Sequence, residues 1–191
     1  MLIIEHRVNT AAQLALVPAG HGIEIDIRDY DGDLRLVHDP LLGGESLEAF
    51  LKGYRHAFCA FNVKCDGLET QILELAARYG VKDFFFLDCA APTLVKLARS
   101  GVKQLAPRFS EFEPIESALA FAGLANWVWV DCFTRLPLDA VSYAALKRHF
   151  KICLVSPELQ GHGRSAIPAY RAALQGMPID AVCTDFPEDW A

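Results

Sequence analysis

The 191 residues carry 24 Asp and Glu against 18 Lys and Arg, a formal net charge of −6, with 52% hydrophobic and 22% charged residues. That balance suits one compact domain over residues 1–191 with a sizeable core, and it argues against nucleic-acid or anionic-membrane partners, both of which want a basic surface. The start, MLIIEHRVNT, puts Glu, His and Arg after four apolar residues, so neither the basic start nor the apolar run of a secretory signal is expected, and the longest apolar stretch, ALAFAGLANWVWV, is too short for a bilayer. Small molecules or other proteins remain as partners, and oligomeric state stays open. The six cysteines (Cys59, Cys65, Cys89, Cys132, Cys153, Cys183) form no CxxC pair, so reduced thiols in a cytoplasmic protein are expected rather than a zinc site or a disulfide framework.

In chain order, the predicted strands are LIIEH, GIEIDIR, AFCAFNVK, DFFFLD, KQLAPRFS, NWVWVDCF, KICLVSPE and DAVCTD. After GIEIDIR, the pair Asp31-Gly32 signals a tight hairpin, so the chain should return antiparallel with Leu34, Leu36 and His38 on one face. DGLETQILELAARYG has Leu68, Ile72, Leu75, Ala76 and Tyr79 at helical spacing, with Asp66 and Glu69 shaped like a capping box and Gly80 as a stop. APTLVKLARSG, EPIESALAFAG, LPLDAVSYAALKRHF and SAIPAYRAALQG read as further helices. Parallel neighbours can be joined only by crossovers, so this alternation predicts a parallel sheet with helices outside. The fold class expected is α/β, a compact (β/α)8 TIM barrel with a short β-hairpin excursion after the second strand. A doubly wound open sheet is the competitor, but GHGRS does not open a helix directly off a strand as a phosphate loop should.

Polar residues gather where these strands end. Period-two alternation places Glu24, Asp26 and Arg28 on one face, Asn62 and Lys64 on one face, and Trp129 and Asp131 on one face. His6 and Arg7 follow the first strand, Asp88 the fourth, Arg108 and Ser110 the fifth. Acids placed mid-strand opposite isoleucines demand a neighbouring cation, because stripping a carboxylate of water is costly. Trp127 and Trp129 are expected to fill the interior and Trp190 to anchor the terminus. Glu158 is expected to meet Arg164, and His162 to face solvent.

IIEHR, GIEIDIRDYDGDLRLVHDP, FNVKCDG and DAVCTDFPE resemble, in order, the HR, ExD with HD, LNxExK and TD-x-P motifs of the glycerophosphodiester phosphodiesterases. These belong to the barrel phosphodiesterases that include bacterial phosphatidylinositol-specific phospholipase C. The resemblance implies phosphodiester cleavage, in which water or a neighbouring hydroxyl attacks phosphorus while two histidines exchange protons with nucleophile and leaving group. It places the histidines on His6 and His38, Arg7 beside them, and a divalent cation (magnesium or calcium) on Glu24 and Asp26. One departure bears on that ion: Lys64 stands where the family carries a glutamate ligand, and Asp66 where it carries lysine. A dication about 4 Å from an ammonium is repelled by on the order of 8 kcal/mol at an effective dielectric near 20. A metal site therefore needs Lys64 to lean away, while in a metal-free site Lys64, Arg7 and Arg108 supply the positive charge, with Asp131 among the substrate-binding residues.

Two readings stay open. One is a hydrolase of small phosphodiesters of glycerol, inositol or a related sugar alcohol. The other is an altered barrel that binds a phosphorylated ligand or a protein partner.

Overall fold

The computed structural model describes all 191 residues, which divide into two compact units: residues 4–95, and residues 96–191 with residues 1–3. In the first unit the chain runs through strand β1 (Leu2–Glu5, whose first two residues belong to the second unit), a short helix α1 (Ala11–Leu14), β2 (Gly22–Tyr30), β3 (Asp33–Leu36), β4 (Glu45–Ser46) and α2 (Leu47–Leu51). It continues through β5 (Phe58–Val63), α3 (Glu69–Tyr79), β6 (Phe84–Leu87) and the start of α4 (Ala91–Arg99). β2 is the hub, parallel to β1 and β5, and β6 lies parallel beyond β5. Ile23, Ile25 and Ile27 of β2 are fully buried, and Phe61 packs on Phe84 and Phe86 with ring centroids 5.3 and 5.9 Å apart.

The hairpin after β2 forms as the sequence predicts. Asp31 and Gly32 have φ of 55° and 80°, the left-handed pair of a type I′ turn, and β3 returns antiparallel with Ile27 opposite Leu36. Leu34 and Leu36 go into the core. α3 stops at Gly80, left-handed at φ 72°, as expected. Its start differs: Leu68 is the N-cap and no side chain caps it. Glu69 accepts from the Gly67 N–H, and Asp66 accepts from the Thr93 hydroxyl, so the expected Asp66–Glu69 capping box does not form. Helices α1 and α2, each opened by a side-chain cap from Thr10 or Ser46, add to the helices the sequence pattern predicts.

In the second unit come β7 (Arg108–Phe109), α5 (Ile115–Leu119), β8 (Trp127–Val130), α6 (Ala140–Lys147), β9 (Lys151–Val155), α7 (Ile167–Ala173) and β10 (Ala181–Thr184). These four strands are parallel in the order β7-β8-β9-β10, and the Leu2 N–H donates to the Asp180 carbonyl beside β10. β7 is far shorter than KQLAPRFS suggests. The carbonyls of Lys103, Leu105 and Pro107 all accept from the β8 side, but Pro107 has no N–H to return a bond, so the ladder is one-sided there. Trp127, Trp129 and Trp190 are buried, and Trp190 Nε1 donates to Ser156 Oγ at 2.8 Å. The six cysteines are free thiols, and no helix is long and apolar enough to cross a membrane.

The approach of β1 and β5 to β2 depends on a missing side chain. A Cβ on Gly22 would lie 2.9 Å from Phe58 Cβ and 3.2 Å from both the Phe58 carbonyl oxygen and Ile4 Cγ1, and the two Phe58 atoms are fixed to the strand backbone. Gly22→Ala is therefore expected to destabilise the chain by about 1–3 kcal/mol through overpacking, measured as a lowered urea midpoint; an unchanged midpoint contradicts this packing.

Candidate active site

The polar residues of the first unit converge at the carboxyl ends of β1, β2, β5 and β6. Glu24 is 1% exposed and Asp26 fully buried, so each oxygen must be accounted for. The chain leaves β1 through Arg7, left-handed at φ 53°, and this turn aims the Arg7 backbone N–H at Glu24 Oε2 (2.8 Å). Asn62 Nδ2 donates to Glu24 Oε1 at 2.7 Å. Asn9 and Asp26 bond reciprocally: Asn9 Nδ2 donates to Asp26 Oδ2, and the Asp26 N–H donates to Asn9 Oδ1, both at 2.8 Å. Burial, with Asp26 beside it, pushes the Glu24 carboxyl up, while nearby His6, the Arg7 N–H and Asn62 pull it down.

Lys64 reaches the remaining oxygen. Its N–H donates to the Ile27 carbonyl at 2.9 Å, extending the β2–β5 ladder one step beyond β5 and fixing its backbone. Nζ then lies 3.3 Å from Asp26 Oδ1 and 3.1 Å from Asp88 Oδ2, with only 15% of the side chain exposed. The lysine thus contacts Asp26 and, instead of Glu24, Asp88, another residue in the left-handed region (φ 60°). Arg28, sharing the acids' face by alternation, does not pair with them. Its Nε donates to the His38 carbonyl (2.8 Å) and Nη1 to the Lys64 carbonyl (3.2 Å), tying the hairpin's return to the end of β5.

His38 follows β3, placed by the Val37 N–H donating to the Asp26 carbonyl at 3.0 Å. Arg7 Nη2 is 2.8 Å from His38 Nε2, and His38 Nδ1 is 2.8 Å from Asp39 Oδ1. A guanidinium only donates, so Nε2 accepts and the imidazole proton sits on Nδ1, donated to Asp39. His38 holds Asp39's carboxyl below its ordinary range. The structure thus brings Arg7, Glu24, Asp26, His38 and Lys64 into one cluster, with His6 close enough to Glu24 to act on its charge. Asn9, Asp39 and the Lys64 contact of Asp88 are additions. Asp39 had a visible signal, an acid directly after the histidine, whereas nothing local marked Asn9.

Arg108 and Asp131 lie in the second unit, paired with each other. Arg108 Nη1 donates to Asp131 Oδ2, its Nε is 3.6 Å from Glu113 Oε2, and its guanidinium stands 5.7 Å from the Phe133 ring centre. Asp131 Oδ1 accepts from Gln160 Nε2 (2.8 Å) and from the Cys132 N–H (2.9 Å). Burial pushes Asp131 up, and Arg108 is the main influence pulling it down. Two expectations nearby fail. Glu158 accepts from Ser156 and Thr184 while Arg164 pairs with Glu188 and Asp189, because the C-terminal turn brings those acids to the arginine. His162 is half-buried, with Nε2 at 2.9 Å from the Cys132 carbonyl, rather than solvent-facing.

The donor set does not fit a divalent ion at Glu24 and Asp26. Three of their four oxygens accept hydrogen bonds from protein N–H groups, and a lysine nitrogen stands against the fourth where a third acidic ligand would be needed.

No family model matches the chain, and no curated protein matches it. Among solved structures, it is similar to the glycerophosphodiester phosphodiesterase from Agrobacterium tumefaciens strain C58, with 17% identity, 99% of this chain and 98% of that chain covered, and a TM-score of 0.72. It is also similar to a glycerophosphoryl diester phosphodiesterase from Parabacteroides distasonis, with 13% identity, 98% and 84% covered, and a TM-score of 0.67. The likeness shows the fold: the α/β class of these phosphodiesterases, mostly parallel, with the TIM-barrel succession of strands and helices.

Arg108→Ala removes the charge that most offsets the burial of Asp131. The folded-state pKa of Asp131, already raised, rises further, so the variant's stability is retained below the ordinary Asp range and lost as pH climbs through the raised value. The gap in urea midpoint between native chain and variant is expected to be wider near pH 7 than near about pH 4; equal gaps contradict it.

Proposed function

We propose that residues 1–191 act as one phosphodiesterase-like domain that hydrolyses small phosphodiesters, of glycerol, inositol or a related polyol, through a His6/His38 acid–base pair. The observation that carries this reading is the 2.8 Å contact between Arg7 Nη2 and His38 Nε2, with Asp39 holding the opposite ring nitrogen. An imidazole so fixed is a neutral base whose lone pair already points at a cationic group, the arrangement a phosphate would enter by taking over the guanidinium.

In this reading the phosphoryl group binds Arg7 and Lys64, which face the charge that grows on its oxygens as the nucleophile arrives. The attacking oxygen, from water or a neighbouring hydroxyl of the substrate, gives its proton to His38 Nε2 as it bonds to phosphorus. His6, beside the carboxylate of Glu24, donates a proton to the departing alkoxide as the other P–O bond breaks. Asp39 keeps the Nδ1 proton in place and stabilises the imidazolium that forms. Asn9 and Asn62 keep Asp26 and Glu24 from turning toward the substrate. No step is assigned to a divalent ion. Arg108 and Asp131 are proposed as further substrate-binding residues of the second unit, and the free thiols support a reducing, cytoplasmic location.

One observation favours the second reading, a barrel that binds a phosphorylated ligand without turning it over: a lysine at a position where the resembling family carries an acid.

Hydrolysis of bis(p-nitrophenyl) phosphate and of glycerophosphodiesters separates the two. His38→Ala and His6→Ala are each expected to lower kcat by about 10²–10⁴-fold. Asp39→Asn is expected to lower kcat with little change in KM and to move the acidic limb of the pH–rate profile, where the base His38 becomes protonated, toward lower pH. Phosphate binding without turnover by the native chain supports the binder, and full activity in His38→Ala removes the histidine from the mechanism.

A further inference from the structure

The cation in this cluster is a side chain. Lys64 Nζ donates to Asp88 Oδ2 and stands 3.3 Å from Asp26 Oδ1, a buried oxygen that accepts no hydrogen bond. Any divalent ion bound to that oxygen, at about 2.0–2.6 Å, would lie within about 6 Å of the ammonium. Nor is the lysine loosely held. Its N–H extends the ladder onto Ile27, its carbonyl accepts from Arg28 Nη1, and two acids from different strands grip its nitrogen. Neutralising Asp26 calls for one ammonium and one carboxylate; it does not account for Asp88, a residue held at φ 60° at the end of β6. A second acid makes sense if the nitrogen must be kept at a fixed point short of full collapse onto Asp26. The hydrogen bond runs to Asp88, and the Asp26 contact is an ion pair without hydrogen-bond geometry.

We propose that Lys64 is this site's built-in cation, that Asp88 is its positioning residue, and that the site holds a phosphoryl group with no divalent ion. The phosphoryl half rests on the reading above; the metal half does not. Lysine is suited to the place, because its compact ammonium approximates a point charge as an ion does, with donors that can turn from Asp88 to a phosphate oxygen.

Two measurements test it without relying on turnover. First, the native chain is titrated with Mg²⁺, Ca²⁺ and Mn²⁺ at millimolar concentration, followed by calorimetry and by melting midpoint. No heat of binding and no midpoint shift are expected for the native chain. Lys64→Met, which removes the charge and keeps the stem, should gain an upward midpoint shift as Asp26 and Asp88 become available. Divalent binding to the native chain that is abolished by Asp26→Asn overturns the proposal, and this measurement stands even if Lys64→Met fails to fold. Second, inorganic phosphate is titrated in the presence of chelator. Binding by the native chain, weakened tenfold or more in Lys64→Met and several-fold in Asp88→Asn, with recovery in Asp88→Glu, is the expected pattern. Phosphate affinity unmoved by Asp88→Asn, with only the melting midpoint lowered, reduces Asp88 to a structural role and overturns its part. Absent turnover with both binding results intact sinks the hydrolase and leaves this assignment standing; chelator-sensitive turnover does the reverse.

Discussion

Two carboxylates two residues apart on β2, both out of water, are the constraint around which the first unit is arranged. An ionised carboxylate moved into the interior without partners loses several kcal/mol of hydration even after relaxation, and two side by side also repel. The chain answers with three hydrogen-bond donors and one ammonium drawn from three segments: Arg7 N–H and Asn9 after β1, Asn62 within β5, and Lys64 just beyond it. The register makes the last two work. Asn62 pairs with Asp26 across the ladder yet bonds Glu24, one pleat earlier, and Lys64 reaches Asp26 by the same offset. A slip of one residue would turn both β5 side chains to the isoleucine face, taking the Asn62 bond from Glu24 and the ammonium from Asp26.

Local conformations that look costly follow from this arrangement. Arg7 and Asp88 both sit in the left-handed region, which non-glycine residues enter only when their surroundings hold them there. Arg7 does so because its N–H must meet Glu24 while its side chain extends to His38. The type I′ turn at Asp31-Gly32 belongs to the same set, since it fixes the length of the return that brings His38 to Arg7. Arg28 then locks that return to the end of β5, so the imidazole and the ammonium share one rigid brace. Pre-organisation of this kind lets fixed cations act on an anion without reorganising when it arrives.

Much of this could be read from the sequence, for a physical reason. Side-chain alternation in GIEIDIR, the Asp-Gly turn and the Gly80 stop depend on neighbours within a few residues, and the structure keeps all three. What the sequence could not show was which distant residue each polar group would meet. Asn9 and Asp26 are 17 positions apart, Lys64 and Asp88 24, and Arg164 and Asp189 25. Asp66 and Glu69 had the spacing of a cap, but Asp66 is bound to Thr93, 27 residues away, and a contact of that range outranks a local preference. KQLAPRFS overstates the length of β7 because alternation says nothing about donors, and Pro107 supplies none.

The fold likeness and the change of charge at Lys64 are compatible because they depend on different parts of the strands. Ladder bonds and the packed isoleucines and phenylalanines hold the sheet together, and these lie along the strand bodies. The residue just past a strand's carboxyl end contributes its backbone N–H to the ladder whatever its side chain, as Lys64 does to Ile27. A glutamate and a lysine are therefore nearly equivalent to the sheet at that position, while to the acids of β2 they are opposite in sign. Similarity at 17% identity consequently shows the scaffold and is silent on the charge at that position. Once lysine occupies the position, its charge has to be satisfied by this chain's own acids, and Asp88 supplies the second of them. The position of that ammonium is set by a strand end and two carboxylates.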